Sequence, residues 1–96
     1  MLEQVLKKMG LSEKTAKVYA VSFELGPQTV QQMAQKLGIP RPTIYAQIES
    51  LIKLGLMSKI EKSGKVYFAA ESPENLERLL KKKVGEIQSL SLEFKK

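Results

Sequence analysis

A chain of 96 residues without a single cysteine, histidine or aspartate has few ways to make or break a covalent bond. Cys- and His-based metal sites are excluded, as is every nucleophile–histidine pairing. All ten acidic residues are glutamates spread along amphipathic segments. A Glu–Lys or Glu–Glu pair is formally available, but solvated helix surface is the plainer reading. The sequence therefore points to no catalytic residue, no metal and no cofactor. What it does hold is a set of hydrogen-bonding side chains at helical spacing within residues 29–55, TVQQMAQKLGIPRPTIYAQIESLIKLG. Arg41, Thr43, Tyr45 and Gln47 stand there among the small residues Pro42, Ala46 and Ser50. Their chemistry is recognition. A guanidinium suits guanine O6/N7, a carboxamide suits adenine N6/N7, and a short Ala or Thr can meet a thymine methyl.

Two amphipathic segments must position those groups. Thr29 and Gln32 have capping-box spacing, and Val30, Met33, Ala34 and Leu37 then repeat as one apolar stripe. Gly38 follows where a helix end wants positive φ, and Pro40 is tolerated in a first turn. The second helix turns Ile44, Ile48, Leu51 and Ile52 inward. Pro42, Thr43, Ala46, Glu49, Ser50 and Lys53 point away, with Arg41, Tyr45 and Gln47 on the flanks. Helix, Gly-containing turn and helix with a small polar outer face describe a helix-turn-helix. A plain helical hairpin would share the pattern, so the flanking segments decide.

Upstream, Leu2, Val5, Leu6 and Met9 give a short helix over 2–9 that Gly10 ends. Ser12 caps a longer helix over 12–25, whose buried stripe is read as Ala16, Tyr19, Ala20 and Phe23. Downstream of the helices at 29–37 and 40–54, the period changes to two. Strands are expected over 56–62 and 65–70, joined at Ser63-Gly64. A hairpin is barely stable alone and must lean on the helices. The expected architecture is mainly α with a small β-hairpin: a winged helix-turn-helix over 1–72, three helices plus a two-stranded wing. Lys62, Ser63 and Lys65 sit at the wing tip, where a phosphate backbone would be met. Gln28 and Thr29, at a helix N-terminus, are placed to hold phosphate.

Residues 73–96 form a last helix, opened by Ser72-Pro73-Glu74. Leu76, Leu80, Lys83, Ile87, Leu90 and Phe94 follow at spacings of 4, 3, 4, 3 and 4, a heptad seam with Lys83 as its one misfit. Such a helix is too long for a domain of this size to cover, so Leu76, Leu80, Ile87, Leu90 and Phe94 are assigned to dimerisation. Gly85 in mid-helix favours a kink or frayed end as the competing outcome. The formal charge is +6. Residues 26–68 hold Lys36, Arg41, Lys53, Lys59, Lys62 and Lys65 against Glu49 and Glu61, so most of the excess falls on the reading head. No apolar run approaches the ~20 residues that span a bilayer. With no signal-like N-terminus and no cysteine, the cytoplasm is the expected compartment.

From about Leu11 to Leu80 the chain resembles the winged-helix domain of the TrmB-like transcriptional regulators. The likeness runs through Leu11-Ser12-Glu13-Lys14, Ala16-Lys17-Val18-Tyr19, Gly26-Pro27, Ala34 with Leu37-Gly38, Ile39-Pro40-Arg41, Ile44-Tyr45, Ile48-Glu49-Ser50-Leu51, Gly55-Leu56 and Ser72-Pro73-Glu74. MarR- and ArsR-type winged helices are similar in the same respects. Thr15 departs from the pattern, standing where a Glu would complete a capping box with Ser12. The resemblance implies double-stranded DNA as partner and a role in transcriptional control. The larger members carry an effector-binding domain after this point and this chain stops at Lys96, so no small-molecule effector is expected. The sequence readings together describe a homodimeric, sequence-preferring DNA binder. A winged-helix module that meets protein in a larger assembly stays open beside it. RNA is disfavoured, because only Tyr45 among the aromatics is expected to be free for stacking.

Overall fold

Local capping sets where the helices begin. In a computed structural model that describes residues 2–94, with side chains through Glu93, Ser12 accepts the Thr15 amide at 3.2 Å and starts α2 (Glu13–Leu25). Thr29 starts α3 (Val30–Leu37) with a complete capping box, its hydroxyl accepting the Gln32 amide and its own amide donating to the Gln32 side chain. Gly38 closes α3 in the left-handed region, at φ 66°. Helix α4 (Arg41–Lys53) begins differently. Pro40 is its N-cap rather than its first residue, and no side chain bonds its free amides. Helix α1 is Leu2–Lys8, and β1 (Met57–Lys62) pairs antiparallel with β2 (Lys65–Ala70). The turn takes positive φ at both Ser63 (52°) and Gly64 (76°), which matches the right-handed twist of a two-residue hairpin. The chain is thus a three-helix core, α2 to α4, with a wing and a long last helix.

The core is built from Leu6, Ala16, Val18, Tyr19, Met33, Ile44, Ile48, Leu51, Leu56 and Phe68. Helix α2 lies at its centre, with α1 on one side and α3, α4 and β2 on the others. Its buried surface is therefore wider than one stripe. Thr15, Val18, Val21 and Ser22 are buried as well. Phe23, expected inside, is 46% exposed and instead lies beside the Tyr19 ring at 6.2 Å between centroids. Ile52 is 40% exposed although Leu51 in the same turn is fully buried, because it lies on the edge of the buried face of α4 and not on its centre line. Gln28, expected to hold phosphate at a helix N-terminus, pairs both ways with Phe68 through its backbone (3.0 and 2.7 Å) and adds a one-residue third strand to the wing.

Helix α5 (Pro73–Phe94) continues through Gly85 without a break. Leu76 and Leu79 rest on the core. Beyond them the helix leaves the body, which explains a long axis of 56 Å against 24 and 22 Å.

One buried polar atom stands out. Among the described residues the Tyr19 hydroxyl has no hydrogen-bond partner, and burial pushes its pKa above the usual tyrosine value. Tyr19→Phe keeps the ring and removes a desolvated, unpaired hydroxyl. It should raise stability by about 1 kcal/mol, read as a higher urea midpoint at fixed protein concentration. A lower midpoint would mean the hydroxyl has a bonded partner.

Candidate nucleic-acid interface

The start of α3, the start of α4 and strand β2 converge on an open groove of about 520 Å³. Thr29 reaches it from the first, Arg41 and Tyr45 from the second, and Lys65 from the third. Three segments far apart in sequence thus present their polar groups to one volume. Arg41 is the first residue of α4 and is exposed. Tyr45, one turn further, is 51% exposed and held edge-on against the buried Phe68 ring, 6.5 Å between centroids at 89°. That contact fixes the ring and leaves its hydroxyl end open. Pro42, Ala46 and Ser50 are exposed on the same helix, and the Ser50 hydroxyl donates to the Ala46 carbonyl at 3.2 Å. Thr43 is half-buried.

Gln47 is turned another way. It is half-buried, and the Thr15 hydroxyl donates to its side-chain oxygen. The adenine pairing expected of Gln47 uses that oxygen as acceptor, and one of its two lone pairs is engaged by Thr15. Thr15 is therefore more than a lost capping residue. Its hydroxyl also lies 2.8 Å from the Ser12 hydroxyl, and its amide bonds Ser12 in turn. The N-cap of α2 is linked through one buried threonine to the middle of α4.

At the wing, Lys62 and Lys65 face each other directly as the last pair of the hairpin. Both are exposed, and among the described residues neither has an ion-pair partner, nor does Arg41. Lys59 on the same strand, by contrast, meets Glu61 at 3.3 Å. Two like charges set directly opposite weaken a hairpin unless an anion lies between or beside them. Ser63 is exposed at the tip between the two lysines. Gln28 and Thr29 are more engaged than expected. The Gln28 side chain donates to the Pro27 carbonyl at 3.0 Å, and the capping box uses the Thr29 amide and hydroxyl oxygen.

Sequence reasoning missed Gln31, Gln35 and Tyr67, all of which line the groove. The signal for the first two was present: they lie one turn apart on the face of α3 opposite its apolar stripe. Of the residues assigned to dimerisation, Leu76 lies half-buried against the core, while Leu80, Ile87 and Leu90 are 43%, 65% and 55% exposed. The Phe94 side chain lies outside the described residues. No helix is long and apolar enough to cross a membrane among the described residues.

Comparison with known proteins gives a consistent match. A family model described as sugar-specific transcriptional regulator TrmB matches residues 6–74. The HTH-type sugar sensing transcriptional regulator TrmBL1 of Pyrococcus furiosus is 25% identical over 91 residues, covering 95% of this chain and 27% of that protein. The chain spans about a quarter of the length of the curated relatives it matches. Among solved structures, the ST1889 protein of Sulfolobus tokodaii superposes with a TM-score of 0.80 at 19% identity, over 95% of this chain and 99% of that one. TrmBL2, described as an archaeal chromatin protein with a novel mode of DNA binding, superposes at 0.71 with 22% identity, over 96% of this chain and 34% of that one. These structural likenesses carry the fold.

The Thr15 link can be weighed separately from any ligand. Thr15→Val preserves shape but leaves the Gln47 oxygen and the Ser12 hydroxyl without their shared partner. It should lower stability by about 1–2 kcal/mol in urea unfolding, with Thr15→Ser recovering most of the loss. Equal stability of Thr15→Val and the parent would remove the link from the account.

Proposed function

This chain belongs to the TrmB family of transcriptional regulators, and on that premise we propose that it reads double-stranded DNA as a homodimer, through the groove-lining start of α4. The observation that carries this is the convergence of Arg41, Tyr45 and Lys65 on one open volume beside an N-terminus that no side chain caps. Free amides and the helix dipole at that end favour a negative group. Arg41 extends the positive region by a planar fork that suits guanine O6/N7. Pro42, Ala46 and Ser50 keep the outer face of α4 low, so that the helix can enter a major groove. Thr43, on its half-buried flank, is left for the edge of the same contact, and Gln47 serves as a strut to α2. Lys62, Ser63 and Lys65 then meet the sugar-phosphate backbone, which sets orientation and carries no sequence information. Thr29 and Gln28 brace the start of α3 and add at most one hydroxyl or backbone contact.

Leu80, Ile87 and Leu90 support the dimer, since a monomer would leave their apolar surface in water. Two copies would read two half-sites related by the dimer axis.

Selection from random duplex DNA defines a preferred site on which the roles separate. Arg41→Ala should cost about 1–3 kcal/mol on that site and relax the preference at one base pair of each half-site. Lys65→Ala should weaken all duplexes alike and reduce the slope of log K against log salt by about 1 per subunit, measured by fluorescence anisotropy. If Arg41→Ala left affinity and base preference intact, the assignment of α4 to the groove would fall.

A further inference from the structure

The lone charge on the α5 seam carries information about how two copies would meet. Resting on the homodimer proposed above, we infer that α5 pairs with α5 of a second copy in antiparallel orientation, with Leu80 opposite the partner's Leu90 and Lys83 beside the partner's Glu86. Leu76, Leu80, Lys83, Ile87, Leu90 and Phe94 alternate as d and a positions of a heptad. Val84 lies next to the seam and is also exposed. Beyond Leu79 the apolar residues of this face, Leu80, Val84, Ile87 and Leu90, are exposed.

In a parallel pair every seam residue meets its own copy. Lys83 would then meet Lys83 in the centre of the apolar surface, where two ammonium groups repel and lose water together. The antiparallel register that uses all six seam positions places Leu80 against Leu90, Lys83 against Ile87, and by sequence position Leu76 against Phe94. In that register the side of the seam bearing Glu86 faces its own copy. Lys83 and Glu86 of both chains gather about the two-fold axis as a charge-neutral group of four. Lys83 is half-buried in the single chain, and a lysine stem can lie along apolar surface while its ammonium stays at the edge, where a carboxylate can reach it. The groove at the start of α4 lies on the body of the protein, and Leu76 and Leu79 are the α5 residues that rest on that body. The projecting part of α5 can pair without covering it.

The absence of cysteine makes the orientation directly measurable. Leu80→Cys and Leu90→Cys are each prepared alone in the full chain, and their dimeric mass is checked by light scattering. They are then oxidised mildly, singly and as a re-equilibrated mixture, and run on non-reducing gels. A disulfide needs Cα atoms about 4.4–6.8 Å apart. In the antiparallel register two copies of position 80 are about 15 Å apart along the axis. The expected result is a covalent dimer in the mixture and none with either variant alone. Cross-linking of Leu80→Cys by itself would mean that position 80 meets its own copy, as it does in a parallel pair, and would overturn the inference. A dimeric mass with no cross-link in the mixture would place the contact on another face and overturn it too. As a second arm, Glu86→Lys should weaken association, most at low salt, and Lys83→Glu in the same chain should restore it. If light scattering of the unaltered chain gives 10.8 kDa rather than twice that, the homodimer itself fails, whereas DNA binding by the groove is judged on Arg41→Ala alone.

Discussion

Helix α4 can bury only one edge, and the rest of the structure follows from that. Ile44, Ile48 and Leu51 lie at 0 or 1% exposure against the other helices. Each such side chain contributes about 1.5–3 kcal/mol relative to leaving it in water. That is enough to hold a helix whose N-cap is a proline without a side-chain bond. A core of this size has no second layer to place on the opposite side. Pro42, Ala46, Glu49 and Ser50 therefore face solvent, and the wing, anchored through Phe68 beside Tyr45, is held next to that open side. The groove is what remains when one helix is packed from behind only.

This dependence explains which features were legible in the sequence. The capping box of Thr29 and Gln32, the Gly38 terminus and the Ser63-Gly64 turn are encoded within three or four residues, and the structure has each where the local chemistry puts it. The buried edges of α3 and α4 followed from helical periodicity in the same way. Phe23 was misread because periodicity gives the angular position of a side chain and says nothing of how far the neighbouring helices extend, and Ile52 because it lies at the edge of the stripe that Ile44, Ile48 and Leu51 centre. At Phe23 the centre of α2 is already filled by Val18, Tyr19 and Ser22, which are fully or almost fully buried. Gln28 escaped because a one-residue bridge has no period at all. For the candidate site, Arg41, Tyr45 and Lys65 were legible as types at useful positions. That they share one groove is a property of the tertiary arrangement, and so is the bond from Thr15 to Gln47.

Thr15 shows how a departure from a local motif can be a gain elsewhere. A glutamate there would close a capping box with Ser12 and satisfy the helix start alone. Threonine still lets Ser12 accept its amide, while a short buried hydroxyl reaches α4. Burying a hydroxyl is unfavourable unless it is bonded, and this one has two partners. A directional bond between α2 and α4 also fixes the rotation of the reading helix about its axis, which apolar contacts alone hold less strictly.

The two helix starts beside the groove then differ in a way that bears on where negative charge would settle. At α3 the reciprocal bonds of Thr29 and Gln32 satisfy donors internally and screen that end. At α4 Pro40 offers no side-chain acceptor, Pro42 has no amide N–H, and the cation Arg41 stands at the first position, where the dipole disfavours it. Like charge is also tolerated at the wing, where Lys62 faces Lys65. Each of these is a small local cost in the isolated chain, and each changes sign when a phosphate or an electronegative base edge arrives. Three unfavourable positive features around one groove, with Glu49, unpaired among the described residues, two turns further along α4 and outside the groove lining, are more readily explained by an anionic occupant than by separate accidents of surface composition. On the proposed reading, the cap that α4 lacks in the free protein is supplied by the nucleic acid.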